Sequence, residues 1–110
     1  MDIEQFRTYC LQKEEVTETF PFDEVTLCFK VNGKIFALTG LDAEHFQVNL
    51  KCDPDYALEL REAHEEVQPG YHMNKKHWNT VSFVGSLSDT LLKHLIDHSY
   101  ELVKKGAKRR

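Results

Sequence analysis

Asn32-Gly33 stands between two apolar-rich stretches, Val25 to Val31 and Lys34 to Leu38. Asn and Gly both tolerate positive φ, which a two-residue type I′ turn demands at each central position, so the segment predicts a tight antiparallel hairpin. Such a turn sets the register: Val31 opposite Lys34, Phe29 opposite Phe36, Leu27 opposite Leu38. Leu27, Phe29, Phe36 and Leu38 then share one face, and Cys28, Lys30, Ile35 and Ala37 the other. An isolated hairpin is marginal in water, so the flanking sequence has to cover the apolar face.

The flanks read accordingly. Asp2 with Gln5 forms a capping-box pattern ahead of Ile3, Phe6 and Cys10, which fall on one helical face; this helix should end near Lys13. Lys13 to Thr19 is polar and acidic, and Phe20-Pro21-Phe22-Asp23 is an extended segment fixed by proline. After a turn at Gly40 to Glu44, His45 to Lys51 alternates as a third strand, with Phe46, Val48 and Leu50 inward. Asp53-Pro54 opens a second helix, which should end near Glu65 or Glu66. Pro69-Gly70 is a turn or irregular edge, and Trp78 to Val84 is a strand with Val81 and Phe83 on one side. Ser86 with Asp89 suggests the cap of a C-terminal helix whose stripe is Leu91, Leu92, Leu95, Ile96, Leu102 and Val103, with Ser99 in its middle. The order α-β-β-β-α-(β)-β-α predicts an α+β fold: an antiparallel sheet covered on one face by helices. One core of Leu27, Phe29, Phe36, Leu38, Phe46, Val48, Leu50, Leu92, Leu95 and Ile96 is expected.

A chain of 110 residues fits a single domain spanning 1–110. Its 41% hydrophobic and 29% charged residues are ordinary for a soluble globular protein. No apolar run reaches membrane-span length and the N-terminus is no signal peptide, so a cytoplasmic protein without a membrane role is expected. Charge is uneven: Lys104, Lys105, Lys108, Arg109 and Arg110 crowd the C-terminus, and residues 1–103 hold 9 bases against 18 acids. So acidic a body repels polyanions, and nucleic-acid binding would need a local basic patch. One window, Val67 to Ser88, contains no acid and holds His72, Lys75, Lys76 and His77. The basic tail reads first as a solvated helix end, since cations complement a helix C-terminus.

Cys10, Cys28 and Cys52 are an odd number without close pairing, which argues against a disulfide framework and a zinc site. His94 and His98 lie one helical turn apart but lack an evident third ligand, so no metal or other cofactor is expected. There is no G-x-S-x-G, no HExxH and no glycine-rich phosphate loop, and the chain is expected not to be an enzyme. Within the loop from Tyr71 to Thr80, Lys75 and Lys76 are placed to meet phosphates, Asn74 and Asn79 to hydrogen-bond, and Trp78 or Tyr71 to stack. For Asn74 the plainer role is satisfying turn backbone, and for Trp78 it is anchoring the loop in the core.

The segments Phe20-Pro21-Phe22, Phe29-Lys30-Val31, Gly33 to Leu38, Asn49-Leu50-Lys51-Cys52 before Asp53-Pro54, and Pro69 to Val81 together resemble the YjbR/MmcQ family of small bacterial proteins. The likeness covers essentially the whole chain. It implies an α+β fold similar to CyaY/frataxin and to secretion chaperones, and a DNA-binding role suggested by a "double wing" shape. The family pattern often carries Pro-Gly after the first helix, where this chain has Glu14-Glu15.

Two functional readings follow. In one, the chain binds DNA weakly and without sequence preference through His72, Asn74, Lys75, Lys76 and His77, joined by Lys51 and Arg61. In the other, it binds another protein or a small ligand on the outer sheet face around Lys30, Ile35, Gln47, Asn49 and Lys51. The first requires Lys51, Arg61, Lys75 and Lys76 gathered on one face.

Overall fold

The chain runs α1 (Ile3–Leu11), β1 (Val16–Thr19), β2 (Thr26–Val31), β3 (Lys34–Gly40), β4 (Gln47–Lys51), α2 (Pro54–Ala63), β5 (Val67–Pro69), β6 (Trp78–Ser82) and α3 (Asp89–Lys108). The computed structural model describes residues 1–71 and 73–108, with side chains described as far as residue 106. Among these, the strands form one antiparallel six-stranded sheet in the order β1-β2-β3-β4-β6-β5.

Local chemistry accounts for the element ends. The Asp2 carboxylate accepts from the Gln5 N–H and the Gln5 side chain accepts from the Asp2 N–H, closing the expected capping box of α1. Asp53 caps α2 through the Tyr56 N–H, with Pro54 in the first turn. At α3 the cap is Ser88 rather than Ser86: Ser88 Oγ accepts from the Leu91 N–H, while Ser86 is drawn onto the Glu66 carboxylate. Asn32 and Gly33 both have positive φ, 50° and 81°, as the hairpin turn requires. The polar segment after α1 folds as β1, an additional strand. Its β-branched Val16, Thr17 and Thr19 pair with β2, and Arg7 of α1 holds Glu18 in an ion pair.

The helices occupy one face of the sheet. α3 lies against β2, β3 and β4, α1 against β1, and α2 against β5. Tyr9 Oη donates to Asp97 at 2.7 Å, joining α1 to α3, and Tyr56 packs edge-on against His98, joining α2 to α3. Beneath them Phe6 meets Phe29, Phe46 and Phe83 edge-to-face at 5.3–5.7 Å.

The hairpin register departs from the expected one. Val31 faces Lys34 and Lys30 faces Ile35, but Phe29 then pairs with Ala37, Cys28 with Leu38 and Leu27 with Thr39. A β-bulge inserts Phe36, so Phe36 and the adjacent Ala37 are both fully buried instead of alternating. Phe36 stacks edge-on against Tyr100 of α3 at 5.4 Å, and Ala37 joins the core row Phe29–Ala37–Leu50–Asn79. Leu38 is therefore carried out of the expected core onto the open face. The other expected core residues lie in or against the single buried cluster, Phe46 partly exposed at its edge.

Candidate functional site: a cleft on the open sheet face

On the side away from the helices, register aligns Thr19, Cys28, Leu38, Asn49, Thr80 and Gln68 in one row across all six strands. Over the middle of this row lies a cleft of about 500 Å³. Leu38, Asn49 and Thr80 form its floor. Phe22, from the segment before β2, and Tyr71 and Met73, from the β5–β6 loop, provide its walls; Thr26, Gln47 and Asp42 also line it. Phe22 and Tyr71 are 67% and 66% exposed, whereas Phe6, Phe29 and Phe36 are fully buried.

Each wall is fixed by its own local bonds. The Asp23 carboxylate accepts from the Val25 and Thr26 N–H groups and the Thr26 hydroxyl, which seats the Phe22 segment and holds the Asp23 acid below its ordinary range. On the opposite side the Tyr71 N–H donates to Thr80 Oγ1 at 2.9 Å, and Thr80 Oγ1 donates to Asn49 Oδ1. This relay orients the Asn49 amide. Its Oδ1 is engaged, so Nδ2 is the donor it presents on the open face.

The β5–β6 loop is anchored from beneath. Arg61 of α2 donates through Nε to Asn79 Oδ1 at 2.7 Å and through Nη2 to the carbonyls of Trp78 and Lys75. Asn74 accepts from the Lys76 N–H through Oδ1, and its carbonyl accepts from His77 and Trp78, so it serves the turn backbone. Gly70 is buried against Trp78; a Cβ there would lie 2.8 Å from Trp78 Cβ, so only glycine fits. Trp78 itself sits opposite Lys51 on the open face, half-buried, rather than in the core.

The sequence-derived candidates therefore separate. Lys51 shares the open face with Asn49, and Lys75 and Lys76 are exposed in the turn leading into β6. Arg61 is not free to join them, because its guanidinium is bound up beneath the loop. His77 is half-buried, its backbone bonded to Asn74 and Cys52. His72 lies outside the described residues, as do Arg109 and Arg110 of the tail. Lys104 and Lys105 lie within α3, Lys104 over the Tyr100 ring at 5.3 Å. Gln47 and Asn49 of the outer-face set line the cleft, whereas Lys30 and Ile35 pair farther along the hairpin. Leu38, Thr26 and Met73 are cleft residues that sequence reasoning missed.

The remaining reactive groups have other surroundings. Cys10, Cys28 and Cys52 are free thiols, buried separately, and burial raises the pKa of all three, those of Cys10 and Cys52 to about 12. Such thiols are inert. His94 and His98 stack at 6.5 Å, and His98 Nε2 accepts from the Asp53 N–H. Among the described residues no group of three or more His, Cys, Asp or Glu is placed to hold a metal, and no helix is long and apolar enough to cross a membrane.

Residues 11–102 match the YjbR family model. The chain belongs to the YjbR family. Escherichia coli (strain K12) YjbR is 35% identical over 101 residues, covering 92% of this chain and 86% of the relative. Escherichia coli O157:H7 YbdF is 41% identical over 92 residues, covering 83% and 75%. Among solved structures, Deinococcus radiodurans protein DR2400 superposes with a TM-score of 0.89 at 42% identity, over 94% of this chain and 78% of that one. A Pseudomonas syringae protein superposes with a TM-score of 0.80 at 28% identity, covering 94% and 99%. Both relatives from Escherichia coli are called uncharacterized proteins, so their names assign no activity to the cleft.

Proposed function

We propose that this YjbR-family protein is a non-catalytic binding module whose ligand is a small organic molecule seated in the open-face cleft. The observation that carries this reading is the conjunction of an oriented polar floor, Asn49 and Thr80, with two exposed aromatic walls, Phe22 and Tyr71, over about 500 Å³. Concave sites with apolar walls and a few convergent polar groups are the usual form of small-molecule sites. A larger groove of about 710 Å³ runs along Met1, Leu41, Phe46 and Val84, but Thr39 Oγ1 there is spent on the Gln47 carbonyl and the Met1 ammonium on Asp89. It has no comparable oriented floor.

The DNA reading, suggested by the family likeness, has weaker support. It needs Lys51, Arg61, Lys75 and Lys76 as a joint phosphate surface, and the Arg61 guanidinium is already bonded to Asn79 and two carbonyls. The body of the molecule is strongly acidic. An NMR titration of ¹⁵N-labelled protein with a fragment set and with duplex DNA at low salt separates the two. Fragment-induced shifts at Leu38, Asn49, Tyr71 and Thr80, with no duplex response, are expected. Duplex binding that Lys75→Ala/Lys76→Ala abolishes, each lost contact lowering the log–log salt slope by roughly 0.9, would replace the cleft reading with the DNA one.

A further inference from the structure

We infer that Asn79 holds one internal water in the small cavity where β4 and β6 meet α2 and α3, on the helix side of the sheet. Asn79 is 2% exposed, and Arg61 Nε donates to its Oδ1 at 2.7 Å. That bond fixes which way the amide faces, because a flipped amide would set its N–H groups against the guanidinium, donor against donor. Nδ2 is the atom left over, and among the described residues it has no acceptor. A buried donor without a partner is costly, and folded proteins answer most such groups with a protein acceptor or with ordered water.

The cavity beside Asn79 has the size for the second. It is about 10 Å³, room for a single water, and its lining includes Asn79 and Val81 of β6, Cys52, Leu60 of α2 and His98 of α3. Because Nδ2 is a donor, the occupant is an acceptor, which a metal cation is not. A water there accepts from Asn79 Nδ2–H. Its further partners are the Cys52 thiol and the His98 ring. His98 Nε2 already accepts from the Asp53 N–H, so the neutral ring carries its proton on Nδ1. Several polar partners distinguish a hydrated cavity from a dry apolar one. Position gives the water a role: Arg61 and Asn79 anchor the β5–β6 loop from beneath, and a water on Nδ2 extends that polar path to α3. The site does not depend on what the open-face cleft binds.

A crystal structure of the protein tests this directly, with an ordered oxygen expected within about 3.2 Å of Asn79 Nδ2. In solution, NMR should show cross-peaks between water and the Asn79 Hδ2 protons, with NOE and ROE of opposite sign, the mark of a bound water rather than of direct proton exchange. A Cys52 or His98 proton that exchanges with solvent would imitate them by relay, and Val81→Ile separates the two sources. Its added methyl group fills the cavity and expels the water, so the cross-peaks should be lost, whereas relayed ones persist. Cross-peaks that survive in Val81→Ile, their absence in the wild type, or a crystal structure in which Nδ2 bonds a protein acceptor or meets no ordered oxygen, overturns the water site. Where Val81→Ile does not fold, the wild-type crystal structure decides alone.

Discussion

The Ser99 hydroxyl donates to the carbonyl of Phe36 at 2.5 Å and accepts from the Lys51 N–H at 2.9 Å, so one side chain of α3 ties β3 to β4. Phe36 is the bulged residue, lying outside the β2–β3 ladder pairing. A serine in the apolar stripe of a core helix is otherwise unfavourable; here it satisfies two buried backbone groups that the interrupted ladder cannot.

Ser99→Ala leaves both groups unpaired in the core. Each lost partner costs about 1–3 kcal/mol, and a combined loss of about 2–4 kcal/mol is expected in denaturant melts. A loss below about 0.5 kcal/mol would show that the bulge does not depend on this contact.

Phe36→Ala removes a fully buried ring that packs against Tyr100. Truncation of a buried aromatic costs about 3–5 kcal/mol, measurable in the same melts. Because Ser99 binds the Phe36 backbone, not its ring, the bulge should persist. The Ser99 amide shift should therefore move far less in Phe36→Ala than the Tyr100 ring shifts do.

The sequence made the capping box, the I′ turn and the alternation of β4 legible because each is a local rule satisfied within a few residues. The bulge is set instead by contact with α3, 63 residues away. Ile35-Phe36-Ala37-Leu38 is four apolar residues in succession, equally compatible with either face, so the tertiary partner decided. That one shift also hid the cleft: it moved Leu38 from the expected core to the cleft floor. The bonding of Arg61 was not legible for a related reason, since a cation on a helix looks available until the fold places three acceptors around it. β1 escaped notice because an edge strand of mixed polarity carries little periodic signal; its pairing partner β2 determines it.

Glu15 has φ 62° in the turn between α1 and β1. A residue with a Cβ in this left-handed region is strained by about 1–2 kcal/mol, partly offset in a glycine variant by the entropy of the unfolded chain. Glu15→Gly should therefore stabilise the protein by about 0.5–1 kcal/mol, and Glu15→Val should destabilise it, both read from thermal melts. Glycine at this position is also what the family pattern suggests. A neutral or unfavourable Glu15→Gly would mean that the turn relaxes in solution.

The last prediction concerns acid. His98 is half-buried against Tyr56 and stacked beside His94, and its Nε2 accepts from the Asp53 N–H at the start of α2. Burial, followed by the neighbouring His94, lowers its pKa below the ordinary 6.5, with Asp53 opposing the shift. The folded protein therefore takes up the His98 proton less readily than the unfolded chain does. That stabilisation is fully present above pH 6.5 and is lost as the pH falls from there through the lower folded value. Protonating Nε2 also removes the acceptor of the Asp53 N–H, so the start of α2 should loosen over the same interval. His98→Gln keeps an acceptor without a titrating ring. Melting temperatures of wild type and His98→Gln should run parallel above pH 6.5 and separate below it, with wild type falling faster and the Asp53 amide exchanging sooner. Parallel curves through the acid range would show that His98 does not couple protonation to the α2 cap.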